Sequence, residues 1–106
     1  MSPVVSIVIP TYQRPHLLAR CLHALVHQQF PKNRYEIIVV SDGPDNDTQQ
    51  LVTSSGISTP LVQVLALPHK EGPAAARNLG WRTARGKLIL FTDDDCIPHN
   101  YWVEAY

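Results

Sequence analysis

The sequence predicts an α/β fold: a parallel sheet of about four strands with helices on both faces. Three observations carry that expectation. Short β-branched runs alternate with helix-period patterns along the 106 residues. The runs are apolar through their length, as in strands covered on both faces. Strands separated by helices pair in parallel through right-handed crossovers.

The first run is VVSIVI (Val4 to Ile9), bounded by Pro3 and Pro10. It is followed by QRPHLLARCLHALVHQQF, with apolar residues at Leu17, Leu18, Cys21, Leu22, Leu25 and Val26. That spacing marks one face of a helix. Pro15 suits its first turn and Pro31 follows its end. The second strand is expected over Glu36 to Val40, closing on Ser41-Asp42-Gly43. A turn and short helix come next, with Asp45 or Asp47 as N-cap. Leu61 to Leu67 reads as the third strand. The next helix opens at Gly72-Pro73 and closes near Gly86. In KLILFT, Leu88 to Phe91 reads as a buried fourth strand, and Pro98 to Tyr106 as the start of another helix.

Composition narrows the function classes. Apolar residues make up 44% of the chain, enough for a core and too many for disorder. Formal net charge is zero, which argues against a nucleic-acid footprint. No apolar run approaches the ~18 residues of a membrane span, and the N-terminus lacks the pattern of a signal peptide. Cys21 and Cys96 form no zinc-like cluster, and both read as reduced and structural. A cytoplasmic protein is expected, with membrane association open for a longer chain.

In open parallel sheets, ligands gather outside the carboxyl ends of the strands. Four polar segments fall there: Pro10-Thr11-Tyr12, Ser41-Asp42-Gly43, Pro68 to Gly72, and Asp93-Asp94-Asp95. Two like charges ~4 Å apart repel by roughly 4 kcal/mol at an effective dielectric of about 20. Three adjacent aspartates therefore call for a cation, shared protons or solvent. Carboxylate oxygens suit Mg²⁺ or Mn²⁺, which also take phosphate oxygens. Asp93 and Asp95 would share a face if the chain is extended, with Asp94 pointing toward a ribose or sugar hydroxyl. The bland alternative makes Asp95 a helix cap and leaves the others solvated. Asp42 suits a base N–H or a ribose, or simply a turn.

Gly72-Pro73 and Arg77 make a candidate anion site at a helix start. No phosphate-loop or dinucleotide fingerprint occurs. His23 and His27 have a metal-pair spacing but fall off the apolar stripe, which reads as a solvated face. His16 and His69 read as loop residues, and His99 is a weak metal candidate. Ala74 to Ala76 suits close helix–sheet packing. Trp81 and Trp102 suit core or interface positions.

The segments VSIVIPTYQRPHLLARCLHAL, YEIIVVSDGPDNDT, GPAAARNLGWRTARGK and LILFTDDDCIP resemble, in order, the nucleotide-sugar-binding half of family 2 glycosyltransferases. The resemblance implies a Rossmann-like GT-A sheet, here truncated, and a single unit over residues 1–106 that is a fragment of a longer enzyme. It implies a nucleotide pocket at Pro10, Thr11 and Tyr12, and base recognition by Asp42. It places Arg77 and Asn78 by the sugar diphosphate. It reads Asp93-Asp94-Asp95 as a DxD motif: Asp93 and Asp94 toward ribose and sugar, Asp95 with Asp93 toward Mn²⁺ or Mg²⁺. The donor would be UDP-, GDP- or TDP-linked, and transfer inverting. A sugar or lipid acceptor and the catalytic base would belong to residues beyond Tyr106. Ser41 and Gln13 depart from the family's usual Asp and Asn, which loosens the base preference. Two alternatives stand beside this reading. One is a non-catalytic module that binds nucleotide or self-associates through an exposed sheet edge. The other is a phosphotransferase with an aspartate nucleophile, since DDDCI is superficially similar to an Asp-x-Asp-x-Thr loop, with Ile97 at the Thr position.

Overall fold

The computed structural model describes residues 3–55 and 60–106. Its elements run β1 (Val5–Thr11), α1 (Pro15–Val26), a short 3-10 turn at Lys32–Arg34, β2 (Tyr35–Ser41), α2 (Asn46–Thr53), β3 (Leu61–Ala66), α3 (Pro73–Thr83) and β4 (Leu88–Phe91). All four strands are parallel, in the spatial order β3-β2-β1-β4. The chain moves outward from β1 to β3, then crosses back to lay β4 on the other side of β1. The order reverses between β1 and β4, and that switch point is where a crevice is expected.

Period-two alternation along the strands sorts the core into two layers. Val5, Ile7, Ile9, Ile37 and Val39 pack against Leu18, Cys21, Leu22 and Leu25 of α1 and Val52 of α2. Val8, Ile38 and Val40 face the other way, onto Ala76 of α3. Each fully buried aliphatic side chain contributes roughly 1.5–3 kcal/mol. Helices therefore cover both faces, as the unbroken apolar runs imply. Pro15 does open α1, and Asp45 caps α2 by accepting from the Thr48 N–H (3.2 Å) and Thr48 Oγ1 (2.7 Å).

Three expectations are corrected. Leu88 to Phe91 is not a buried strand: β4 is a sheet edge, with Leu88 39% and Phe91 43% exposed and Leu90 its buried residue. An apolar run does not reveal whether a neighbour covers it. Pro98 to Tyr106 forms turns instead of a helix, with Trp102 N–H donating to His99 O and Ala105 N–H to Tyr101 O. These turns are tied to α1 by Gln28, whose Nε2 donates to His99 O (2.7 Å) and whose Oε1 accepts from Val103 N–H (2.8 Å). Gly86 does not cap α3, which ends at Thr83. A Cβ on Gly86 would lie 2.7 Å from the Ser6 nitrogen, so close approach to β1 excludes a side chain there. The Gly56 that closes the α2 segment of the sequence lies outside the described residues.

Candidate functional site

Register builds the site. β1 pairs with β4 from Val5 opposite Leu88 to Val8 opposite Phe91, and Thr92 N–H still donates to Val8 O (3.2 Å). β1 then runs on through Thr11, while the other chain turns away. Continuing the register by three residues brings Asp94 opposite Thr11. There Thr11 Oγ1 donates to Asp94 Oδ2 at 2.7 Å. Asp94 is 1% exposed. Its Oδ1 lies 3.1 Å from an Arg14 nitrogen, an ion-pair distance, yet among the described residues it is the buried side-chain oxygen with no aligned hydrogen bond. Arg14 supplies charge there without a well-aimed N–H.

The three aspartates thus divide. Asp94 turns inward and is neutralised by Arg14, which relieves much of the repulsion the sequence implied. Asp93 and Asp95 turn outward into solvent. The cause is a turn, closed by Cys96 N–H donating to Asp93 O (3.2 Å), and not the extended alternation expected. One ligand atom each from Asp93, Asp95 and Cys96 lie within 4.8 Å of one another. Two carboxylates at that spacing fit a divalent cation, and the oxygen donors suit Mn²⁺ or Mg²⁺.

Asp42, at the end of β2, is also buried. Oδ1 accepts from Glu71 N–H (2.7 Å), and both oxygens accept from Gly72 N–H (3.1 Å each). Gly72 has φ of 100°, a conformation that a residue with a Cβ resists. The anion at the α3 N-terminus is therefore Asp42 itself, which holds the β3–α3 loop against the sheet.

A cavity of about 220 Å³ joins these parts. It is lined by Pro10, Thr11, Tyr12, Asp42, Asp93 and Asp94, with Arg14, Lys70 and Pro73. Lys70 Nζ sits 4.2 Å from the Tyr12 ring centroid, a cation–π contact at the mouth. Beside it, a more open depression of about 600 Å³ shares Pro10 and Asp93 and adds Arg77, Phe91 and Trp102. Arg77 also borders a third depression, with Asn78, Trp81 and Phe91. Asn78 is thus one step removed from the aspartates.

Arg14 and Lys70 went unnoticed in the sequence. The signals were two cations at strand ends, Lys70 within the Pro68 to Gly72 segment and Arg14 two residues past Tyr12. His23 and His27 are exposed and stacked on each other at 4.4 Å, in keeping with a solvated face. Cys21 is buried under the acidic turn, its Sγ 3.6 Å from Asp93 O. Burial first, and then Cys96 and the aspartates, push its thiol up to about 12. Trp81 is 55% exposed, beside the β4 edge. No helix among the described residues is long and apolar enough to cross a membrane.

Comparison with known proteins bears on the family and the fold. The family model of glycosyl transferase family 2 matches residues 6–105. Glycosyltransferase AglE of Haloferax volcanii is 33% identical over 102 residues, which cover 96% of this chain and 34% of AglE. The structure of Staphylococcus aureus TarS 1-349 in complex with UDP superposes with a TM-score of 0.86 at 29% identity, covering 99% of this chain and 30% of that one. The mannosyltransferase PcManGT from Pyrobaculum calidifontis, in complex with GDP-Man and Mn²⁺, does so at 0.80 and 25%, covering 90% and 28%. The chain thus spans about a third of the length of AglE.

Proposed function

The chain belongs to glycosyl transferase family 2 and has the GT-A sheet, and from that premise we propose that it is the donor-binding half of a metal-dependent, inverting glycosyltransferase. One observation carries the proposal. Asp42 and the Asp93-Asp94 pair, 51 residues apart in sequence at the nearest, line the same cavity at the β1/β4 switch point.

In this reading the nucleobase lies against Tyr12 and Lys70, where a flat ring meets an aromatic face and a cation. Asp42, already fixed by two backbone N–H groups, presents its remaining acceptor capacity to a base N–H. The ribose lies over the floor made by Thr11 and Asp94. Asp93 and Asp95 would hold Mn²⁺ or Mg²⁺, with Cys96 alongside. Such an ion supplies charge neutralisation for the departing nucleoside diphosphate. Arg77, on the shared wall of two depressions, is placed to pair with the diphosphate, and Asn78 to meet the sugar. The reading assigns no residue of this chain as the base that takes the acceptor's proton, a task for a positioned carboxylate. Family membership favours it over an aspartyl phosphotransferase.

The donor class follows from the neighbours: TarS is described with UDP and with UDP-GlcNAc, and PcManGT with GDP-Man. A uridine or guanosine diphosphate sugar is the first to try. Titration calorimetry with UDP, GDP and TDP, each with and without Mn²⁺, tests the proposal. Binding of one of them, strengthened about tenfold or more by Mn²⁺, is expected. A folded sample that binds none of them with Mn²⁺ present would overturn it.

A further inference from the structure

The acidic turn carries a contrast that charge alone does not explain. Asp94 is buried while Asp93 and Asp95, its direct neighbours, are exposed. Alternation sets the middle aspartate apart from its neighbours but does not say which side is buried. Its partners do: Thr11 Oγ1 at 2.7 Å and an Arg14 nitrogen at 3.1 Å. Thr11 is neutral and supplies one hydrogen bond. Arg14 is the cation, and its own side chain is half exposed, at 51%. Removing one partner of a buried ion pair leaves an uncompensated buried charge, which the structure avoids by expelling it. Expelling Asp94 would lift the turn it belongs to, and with it the Asp93 carbonyl that covers the Cys21 thiol.

We infer that Arg14 is a positioning residue: by pairing with buried Asp94 it docks the acidic turn on the sheet, so that Asp93 and Asp95 project together. It borders the donor cavity, and its role in this scheme runs through Asp94. The cation part of the inference rests on the proposed role of Asp93 and Asp95, while the docking part does not.

Two readouts separate the parts. The first is metal-free. The chain has two cysteines, so Cys96→Ser leaves Cys21 as the remaining thiol. Its reaction with an aromatic disulfide reagent reports how often the turn lifts. In that background Arg14→Gln is expected to speed labelling about tenfold or more, and Arg14→Lys to recover most of the protection. Glu36→Gln, at the opposite rim of the sheet, weakens the fold without touching the turn, and should leave the rate within about twofold. An unchanged rate in Arg14→Gln, or an equal rise in Glu36→Gln, would overturn the docking role.

The second readout is Mn²⁺ affinity, followed by the electron-spin signal of the free ion, with Cys96 intact. Here the sign decides. Deleting a positive charge near a cation site strengthens cation binding by simple Coulomb attraction. Loss of positioning weakens it. Arg14→Gln is expected to bind Mn²⁺ several-fold more weakly, with recovery in Arg14→Lys. Equal or tighter binding in Arg14→Gln would sink the inference while leaving the donor site standing. No Mn²⁺ binding by the unaltered chain would sink the cation role of Asp93 and Asp95, and Cys21 labelling would then decide the docking role alone.

Discussion

The two rims of the sheet use buried carboxylates in different ways. At the N-terminal rim, Glu36 is 1% exposed and is held by Ser6 and Arg85. Its Oε2 accepts from Ser6 Oγ (2.6 Å) and the Arg85 N–H (2.8 Å), and its Oε1 faces Arg85 Nε at 3.5 Å. Gly86 N–H donates in turn to Ser6 Oγ (2.8 Å). This closed knot pins the α3–β4 connection and opens onto none of the cavities described above. At the C-terminal rim, Asp42 and Asp94 are buried too, but each lines a cavity, and two further carboxylates stand in solvent beside them. Burial alone therefore does not identify a functional carboxylate. What separates the rims is unused bonding capacity facing open space.

That contrast can be broken by mutation. The largest loss of stability is expected at the closed rim. Glu36→Ala strands the Arg85 N–H and the Ser6 hydroxyl, and should cost about 3 kcal/mol in urea unfolding, with nucleotide affinity of the folded protein unchanged. Equal damage to binding would show that the rims are not independent. Asp42→Asn should show both characters. It keeps the shape but gives up a charged acceptor, for about 1–2 kcal/mol of stability and a roughly tenfold weaker nucleotide complex.

Alkaline pH probes one buried acid at each rim. Burial pushes the Tyr35 phenol, near the N-terminal rim, up to about 12, and the Cys21 thiol, under the acidic turn, also up to about 12. Above the ordinary values of 9.0 for the thiol and 10.0 for the phenol, the unfolded chain releases protons that the folded chain keeps. The unfolded state then binds fewer protons, so stability falls as pH rises from about 9 toward 12. Melting temperature against pH should show this decline, flattened in part by Cys21→Ala and in part by Tyr35→Phe. A flat profile would contradict burial of both groups.

Smaller effects sharpen the open rim. Gln13 holds a φ of 50°, a left-handed conformation that Asn tolerates better. Gln13→Asn should raise stability by about 0.5 kcal/mol, read by thermal unfolding. Smallest of all in stability, within about 0.5 kcal/mol, is Asp95→Asn, because the side chain is exposed. Its effect should fall on the ion instead, with Mn²⁺-dependent nucleotide binding reduced about tenfold or more. An Asp95→Asn chain with intact Mn²⁺ dependence would move the ion elsewhere.

Much of the fold was legible because it is written in short-range pattern. The unbroken apolar runs announced two-faced burial, Pro15 marked the start of α1, and the cap of α2 was narrowed to Asp45 or Asp47, of which Asp45 serves. The gathering of the strand-end segments around one cavity was legible for the same reason, since parallel strands carry their C-terminal ends to one edge. Three of the misreadings were long-range. Gly86 looked like a helix cap until β1 was seen lying against it. Leu88 and Phe91 looked buried until β4 proved to be an edge. Arg14 looked like an ordinary residue before a proline until Asp94, far along the chain, came to lie beside it.

The sequence by itself determined the α/β alternation, the helix and strand types, and the crowding of aspartates at strand ends, because these follow from periodicity and turn chemistry within a few residues. Only the tertiary structure decided the order β3-β2-β1-β4, the open edge at β4 and the burial of Asp94 against Thr11 and Arg14. Those depend on which surfaces meet across the sheet. A run of identical aspartates holds no local information about which of them will find a threonine and an arginine waiting.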